Sequence, residues 1–357
     1  MKILHRYLAR EIVISTLFIF AALLTLFALF DLMHEMGDLG KGGYRLGHIL
    51  LHVLLTVPGH IYELFPVATL IGTLFALARL VSHSEFTVMR VSGLSAARIA
   101  LSMLITGSLF VALTFAFGEF IAPTTERIAE QMRLKATSSM VAQEFRSGLW
   151  VKDDLSFVNV AEMLPDTTLI SVKIYEFDPE YRLSTITFAQ RGTFRSDNLW
   201  QLNDVVQTRF GSDGTAVSRL PAISWQSALN PGILSVLLVV PEQMSAWNLY
   251  SYVQHLRENK QKTSRYEIAL WGKLAYPFAT LVMMLLALPF AYHQTRSGGV
   301  GGKVFLGIML GLAFHLLNRL FAHLGLLNDW PPLFSAVFPT VLFLLAAVGL
   351  LWRVERR

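Results

Sequence analysis

Cysteine is absent from this chain of 357 residues, and charged residues make up only 15% of it. The missing cysteine excludes disulfides, thiol catalysis and cysteine-ligated metal sites. So little charge in a chain that is 54% hydrophobic indicates a membrane protein rather than two soluble domains. Membrane orientation also explains the net charge of +5 more simply than nucleic-acid binding does.

Six stretches are apolar enough to cross a bilayer, whose core of about 30 Å needs roughly 20 residues of helix. They cover residues 12–30, 49–80, 99–121, 274–291, 304–327 and 333–351. The first lacks a small-residue cleavage site and is longer than a signal-peptide core, so we predict a retained span. The second would form about 48 Å of helix and must tilt, kink at Pro58 or Pro66, or project from the membrane.

Lys and Arg residues are concentrated on one side of these spans, which predicts that both termini are cytoplasmic. The two short outer loops carry only Lys41 and Arg45. The inner segments carry eleven basic residues: Lys2, Arg6, Arg10, Arg79, Arg90, Arg98, Arg296, Lys303, Arg353, Arg356 and Arg357. The opening segment "MKILHRYLAREI" fits either an interfacial helix or a plain basic flank.

Between residues 148 and 241 the pattern changes to polar–apolar alternation, in about eight short runs separated by turn residues. Strands without intervening helices predict a sandwich or jelly roll, here on the outer side. A helix N-capped by Ser245 then leads back to the fourth span. The predicted domains are 1–125 (N-terminal interfacial helix and three spans), 126–262 (β domain with flanking helices) and 263–357 (three spans and the cytoplasmic C-terminus).

Known catalytic and metal-binding patterns are missing. The segment "SGGVGGKV" at 297–304 is one residue short of a phosphate loop, has Val304 where a hydroxyl would bind Mg²⁺, and follows no strand. It predicts a flexible glycine turn between spans four and five. His48 and His52 lack the Glu of a zinc-binding HExxH motif, so we predict interfacial or core histidines. We therefore predict no catalytic residue, metal or cofactor, and no ATP hydrolysis by this chain itself.

Charges inside the predicted spans are more informative, because an Arg at the bilayer centre costs about 2.5–3.5 kcal/mol. Arg319 lies in the outer third of the fifth span, Glu63 lies in the second, and Lys273 opens the fourth. Arg319 is either a snorkelling or ion-paired structural residue, or it contacts an anionic lipid head group from inside a cavity. Arg133, in the polar helical exit from the third span, allows the same two interpretations.

The turn "HSEFTVMRVSG" at 83–93 interrupts two of the most apolar stretches with a predicted short helix on the inner face. Phe86, Met89 and Arg90 fall on one side of it by their spacing, and Gly93 ends it. The segment is either an ordinary connector or a helix that inserts into another protein. Phe86 and Met89 lie next to each other on one side of the helix, which favours a docking helix, because a solvated loop does not need two such apolar side chains.

Four motifs together resemble the LptF/LptG permease family of lipopolysaccharide export, and within it the LptG branch. They are "SEFTVMRVSG" (84–93), "GEFIAP" (118–123), "GLWVKD" (148–153) and "RYEIALWGKLAYPFATLVMMLLALPF" (265–290), and the resemblance covers essentially the whole chain. It implies a polytopic α-helical membrane protein with six transmembrane helices and an inserted all-β periplasmic jellyroll. It also implies a permease that extracts lipopolysaccharide from the outer leaflet of the inner membrane, passes it through the jellyroll, and needs no cofactor of its own.

The resemblance also implies partners and site residues. The partners are LptF as the second permease subunit, an LptB ATPase dimer, LptC and a periplasmic LptA bridge. Glu85 matches the signature acid of the coupling helix, and Arg133 matches a basic residue near the lipid cavity. The predicted coupling set is Glu85, Phe86, Met89, Arg90, Ser92 and Gly93, and the predicted lipid-binding set is Arg133, Arg319, Lys41, Arg45 and His34.

One segment departs from the family pattern. The connector after the first span often carries clustered lysines, whereas here it reads "DLMHEMGDLGKGGYR", with the acids Asp31, Glu35 and Asp38. Phosphate recognition is therefore expected to rest on Arg133, Arg319 or the partner subunit. A membrane-anchored envelope scaffold or sensor without transport stays the alternative from another class.

Overall fold

The computed structural model describes residues 2–93, 96–137, 149–163, 168–196, 199–211, 214–227, 241–292 and 300–355. Within them six helices are long and apolar enough to cross a membrane, which confirms the predicted helical membrane fold. In chain order the helices are α1 (Lys2–Glu35), α2 (Leu46–Ser82), α3 (Glu85–Val91), α4 (Ala96–Ala116), α5 (Ala122–Thr137), α6 (Ala246–Glu258), α7 (Ser264–Tyr292), α8 (Val300–Leu327) and α9 (Pro332–Glu355).

The third span is one helical run of α4 and α5 joined by a π-helical turn, Phe117–Ile121. Pro123 lies just beyond this turn and has no N–H to donate to the carbonyl four residues earlier. A wider π turn accommodates such a missing hydrogen bond without ending the helix. The run therefore passes through position 125, where the sequence pattern places a domain boundary.

The first span packs along α2, the longest and most buried helix. Gly72 makes the closest contact, because a Cβ at this position would lie 2.5 Å from the Cα of Thr16 on α1. Only glycine permits this approach of the two backbones. Phe20 and Phe65 meet edge to face one turn further, with ring centroids 4.9 Å apart. The prolines of α2 lie inside the helix without ending it.

The fifth span, α8, also meets α2 through glycines. A Cβ at Gly307 would lie 2.8 Å from Leu74, and one at Gly311 would lie 2.6 Å from Val67. The spacing of four residues puts both glycines on one side of α8, as in a small-xxx-small helix contact. The glycine turn predicted at 297–304 lies partly outside the described residues, and from Val300 onward the chain is already helical.

The inserted domain contains one six-stranded antiparallel sheet in the described residues. The strands pair in sequential order, which agrees with an inserted all-β, jellyroll-like domain. The sequence predicts about eight strand-like runs between 148 and 241, of which residues 228–240 lie outside the described residues. The strands are β1 (Leu149–Asp153), β2 (Ser156–Met163), β3 (Leu169–Phe177), β4 (Leu183–Ser196), β5 (Leu199–Gly211) and β6 (Gly214–Gln226).

Cross-strand register gathers the apolar residues of this sheet on one face. Val160 lies opposite Val172, Val172 opposite Ala189, and Ala189 opposite Val205, so one row crosses four strands. All four side chains are buried, and Trp200 is fully buried beside them. Side chains alternate between faces, so a row of this kind requires the strands to be in this register.

Helix α6 connects the sheet to the membrane spans. Ser245 caps its start by accepting from the backbone N–H of Asn248 at 3.1 Å, which confirms the predicted N-cap. Glu119, in the π turn of the third span, accepts from the N–H groups of Ala246 and Trp247 at 2.7 and 3.2 Å. A carboxylate at a helix N-terminus is stabilised by both the free N–H groups and the helix dipole.

The other end of α6 is bound to the sheet. Asn259, which follows the helix, accepts from the backbone N–H of Asp154 through its side-chain oxygen at 2.9 Å. Its carbonyl oxygen accepts from Nζ of Lys152 at 3.3 Å. Helix α6 therefore has one end on the third span and the other on the β1–β2 turn.

Gly72→Ala should destabilise the protein, because the added methyl group collides with the backbone of α1. Overpacking of this kind typically costs about 1–3 kcal/mol. The measurement is the midpoint of thermal unfolding of the purified protein in detergent. Gly349→Ala is the matched control, since a Cβ at that position of α9 meets nothing within 4 Å. Equal midpoints for the two variants would contradict the assigned contact.

Candidate functional site

The first candidate is α3, which lies between the second and third spans. Ser84, with φ of 61°, precedes it, and Gly93, with φ of 92°, follows it, so both ends are sharp turns. Ser92 Oγ donates to the carbonyl of Met89 at 2.8 Å. Arg98 donates to the carbonyl of Gly93 at 3.3 Å, which fixes the exit of the helix.

Two residues predicted to reach a partner point the other way. Phe86 and Met89 are only 4% and 7% exposed and belong to the core of the membrane domain. Their role at a coupling interface stays a prediction, and in this chain taken alone the two side chains fill its own core. Their spacing does place them on one side of α3, but that side faces inward.

The outward side of α3 carries residues that sequence reasoning missed. Val88 and Val91 are 66% and 84% exposed. Thr87 is also exposed, and Glu85 is half-buried. Exposed valines three residues apart on a short polar-flanked helix are the signal that could have revealed this surface. Arg90 lies in the helix, but its side chain is outside the described part of the structure.

Glu85 is in contact with the first span. The hydroxyl of Tyr7 donates to Oε2 of Glu85 at 2.7 Å. One turn further along α1, Glu11 forms an ion pair with Arg79 near the end of α2, at 2.5 Å. The N-terminal part of α1 is thus held by polar contacts on both sides of the turn into α3.

A second group of charges lies at the opposite end of α1, around Glu35. This buried carboxylate accepts a hydrogen bond from the hydroxyl of Tyr44 at 2.7 Å. Arg133 Nε approaches it at 3.5 Å and His52 Nε2 at 3.7 Å. Burial and then the hydrogen bond to Glu35 raise the pKa of Tyr44 well above its usual range, so it is a neutral donor at physiological pH.

Asp38 joins two of the predicted lipid-binding residues. Arg133 Nη2 lies 2.7 Å from one of its oxygens, and Lys41 Nζ lies 2.6 Å from the other. The acids of the connector are therefore the partners of Arg133 and Lys41. The structural interpretation of Arg133, an ion pair within the chain, describes its contacts in this structure.

The other predicted lipid-binding residues lie apart from that pair. His34 is exposed near the C-terminal end of α1, and Arg45 is exposed at the start of α2, where its backbone N–H donates to His48 Nδ1 at 3.1 Å. Arg319 is exposed on α8 and forms no ion pair with any described residue. His315, one turn earlier, is within electrostatic reach of Arg319 and Glu63.

The histidines of "HILLH" have separate partners. His48 stacks on Tyr44 with ring centroids 5.9 Å apart, and His52 faces Glu35. Nowhere in the described ranges do three His, Asp or Glu side chains gather as a metal site.

A third polar group, which sequence reasoning only partly found, surrounds Lys273 in the fourth span. Lys273 is 7% exposed and lies in the third turn of α7 rather than at its start, because α7 begins ten residues before the predicted span. Its Nζ is 4.5 Å from the centre of the Tyr62 ring. Glu126, Glu119 and Glu63 all interact with it electrostatically, and Glu126 and Glu119 were not singled out from the sequence.

Comparison with known proteins agrees with this architecture. Residues 6–353 match the family model described as "Lipopolysaccharide export system permease LptF/LptG". The chain is 32% identical to the lipopolysaccharide export system permease protein LptG of Haemophilus influenzae, covering 99% of this chain and 98% of that protein. It is 31% identical to the LptG protein of Escherichia coli K12, covering 98% of each.

Lys273→Met should destabilise the protein, because it leaves the acids around it without their buried cation. We expect a loss of about 1–3 kcal/mol, the cost typical of a buried group left without its partner. The double variant Lys273→Met/Glu126→Gln should recover most of the loss, since it removes a half-buried carboxyl group as well. Thermal unfolding in detergent measures both.

The matched control is Lys262→Met, which removes an exposed lysine just before α7 and should change little. A double variant as unstable as Lys273→Met alone would mean that Glu126 does not need Lys273 for charge compensation.

Proposed function

The chain belongs to the LptF/LptG family and is a permease subunit of lipopolysaccharide export, and we propose that it works as the LptG-type half of a transporter driven by a separate ATPase. The match over nearly the full length of both relatives is the observation that carries this proposal. It also removes the support for a scaffold or sensor without transport, which rested on the span pattern alone.

The chain is a multi-pass inner-membrane protein, and we infer that both termini and α3 face the cytoplasm. The concentration of Lys and Arg on that side supports this orientation. The sheet, which lies between the third and fourth of six spans, is then periplasmic. The short connector after α1, with Asp38 and Lys41, lies on the same outer side.

The proposed site for the ATPase is α3. Its outward side combines the half-buried carboxylate of Glu85 with exposed Val88 and Val91. A small apolar patch beside one acid suits a groove that offers apolar walls and a basic or N–H donor. Phe86 and Met89 contribute by fixing α3 to the membrane core, so that force applied to α3 reaches the spans. An LptB dimer is the partner that the resemblance suggests.

The remaining partners are proposed from the same resemblance. LptF would supply the second permease half, with LptC at the gate and an LptA bridge continuing from the sheet. Two spans of this chain leave broad apolar faces uncovered, which suits contact with lipid chains or with other subunits. Exposed apolar residues on these faces are Leu17, Phe18, Leu29 and Phe30 of α1, and Phe305, Leu312, Leu316 and Leu320 of α8.

The acyl chains of lipopolysaccharide set the energetic requirement. Exposing each methylene to water costs about 0.8 kcal/mol, so dozens of them would cost tens of kcal/mol. One nucleotide hydrolysis cannot meet that cost, and the chains must therefore move between equally apolar surroundings. We propose lateral entry from the outer leaflet at a seam that involves α1 or α8. Closure of the ATPase dimer would then shrink the cavity and move lipid towards the sheet.

Like Arg45, Arg319 is open to an anionic head group, and of the two it is the one that lies inside a membrane span. It is exposed, lies about 12 Å from the outer end of α8, and has no ion-pair partner among the described residues. Arg133 and Lys41 share Asp38, so each must exchange that partner for a lipid phosphate. Arg45 and His34 complete the proposed lipid-binding set.

Glu85→Arg should detach the ATPase, because it reverses the charge of the carboxylate on the docking side of α3. We expect the ATP-hydrolysing subunit to be lost when the complex is purified through this chain, with the thermal midpoint of the membrane subunits unchanged. Glu258→Arg, a charge reversal at the exposed end of α6, is the control and should keep the ATPase bound. Normal assembly and export with Glu85→Arg would show that α3 is not the dock.

Arg319→Ala should lower lipid occupancy, since it removes a cation that faces the proposed cavity. The measurements are lipopolysaccharide photocrosslinking and lipid-stimulated ATPase activity of the complete complex. Arg319→Lys should retain more crosslinking than Arg319→Ala, because it keeps the charge and loses only the planar guanidinium. Arg182→Ala, on an exposed turn of the sheet, is the control. Unchanged crosslinking with Arg319→Ala would return Arg319 to a structural role.

A further inference from the structure

The contact between Tyr7 and Glu85 joins two parts of the chain that are 78 residues apart. Glu85 is the first residue of α3, and Tyr7 lies in the second turn of α1. Tyr7 is 37% exposed, and Glu85 is half-buried, so the pair lies at the surface where a docked protein would touch it. A hydrogen bond at such a position is not needed to satisfy a buried group.

The inner end of α1 is held firmly enough to orient this hydroxyl. Leu8 and Ile12, on the side of α1 next to Tyr7, are buried in the membrane core. Glu11, one turn after Tyr7, is paired with Arg79. The backbone of this segment is therefore fixed by contacts that do not involve Glu85.

The hydrogen bond uses only one of the two carboxylate oxygens. Tyr7 donates to Oε2, and Oε1 accepts from none of the described residues. A carboxylate can accept several hydrogen bonds, so Oε1 stays open to an incoming N–H or guanidinium donor. A glutamate side chain that is already in one rotamer loses less conformational entropy when such a donor arrives.

We propose that Tyr7 is a positioning residue for the docking acid: its hydroxyl holds Glu85 so that Oε1 faces the ATPase subunit. This inference rests on the proposed docking at α3. It also makes α1, besides α3, an element that responds to docking, because a donor on Oε1 weakens or redirects the hydrogen bond from Tyr7. Helix α1 is roughly 50 Å long and ends at Glu35, beside Arg133 and Asp38.

The test is Tyr7→Phe, which removes the hydroxyl and keeps the ring. Affinity of the ATPase subunit for the membrane complex is measured by titration, together with lipid-stimulated ATPase activity. We expect binding to weaken about tenfold, as for loss of one hydrogen bond to a charged group. In a Glu85→Gln background, Tyr7→Phe should add much less than it does alone, because the two residues act as one unit.

Two controls separate positioning from general loosening of α1. Glu11→Gln removes the neighbouring ion pair to Arg79 without touching Glu85, and it should leave ATPase affinity unchanged. Tyr181→Phe removes a hydroxyl from an exposed turn of the sheet and should be silent. An equal loss of affinity with Glu11→Gln would overturn the proposal, as would wild-type affinity with Tyr7→Phe or full additivity with Glu85→Gln.

Failure of this inference is distinguishable from failure of the docking proposal. If Glu85→Arg releases the ATPase while Tyr7→Phe binds it normally, α3 remains the dock and only the role of Tyr7 is lost. If Glu85→Arg also binds normally, the docking proposal itself fails.

Discussion

The packing of α1 along α2 is the contact on which the other features of this molecule depend. In a lipid environment helices gain little from the hydrophobic effect, so close backbone approach and polar contacts must hold them together. Gly72 allows that approach beside Thr16, and polar pairs between the two helices, Glu11–Arg79 and Asp31–His60, lie on either side of it. Because α1 and α2 are closely packed, the end of α1 beside Glu85 and the end beside Glu35 belong to one unit. A displacement of α1 at one end is therefore expected to move the other end, unless the contacts between α1 and α2 break.

The outer end of that unit explains the unusual connector. A cluster of lysines there would offer free cations to phosphate, whereas Glu35 and Asp38 bind Arg133 from the third span. The acids thereby join the first span to the third and hold the connector close to α5. An anionic head group reaching Arg133 must compete with two carboxylates, so binding and a change in the α1–α5 contact are linked. Arg319 has no such competing carboxylate within hydrogen-bonding distance among the described residues.

Sequence patterns predicted the six spans and the β insertion well, because hydropathy and strand alternation are local properties. They failed where the answer depends on contacts between distant residues. Arg133 and Asp38 are 95 residues apart, and nothing in either neighbourhood indicates the pair. Phe86 and Met89 form an apolar side in any short helix of this sequence, but whether that side faces the chain's core or a partner is decided by tertiary packing. Tyr7 and Glu119 were missed for the same reason, since each acts on a residue far along the chain.

Helix α6 meets a requirement that the energetics of lipid transfer impose. Acyl chains that leave apolar spans for an apolar sheet face must not cross water, because each exposed methylene costs about 0.8 kcal/mol. The spans and the sheet must therefore stay aligned while lipid passes. Glu119 holds the start of α6 on the third span, and Asn259 holds its end on the β1–β2 turn. A helix of 13 residues is about 20 Å long and stiff over that length, so it can fix the distance between the two. The same helix would carry movement of the third span to the sheet, because hydrogen bonds hold one end on the span and the other on the sheet.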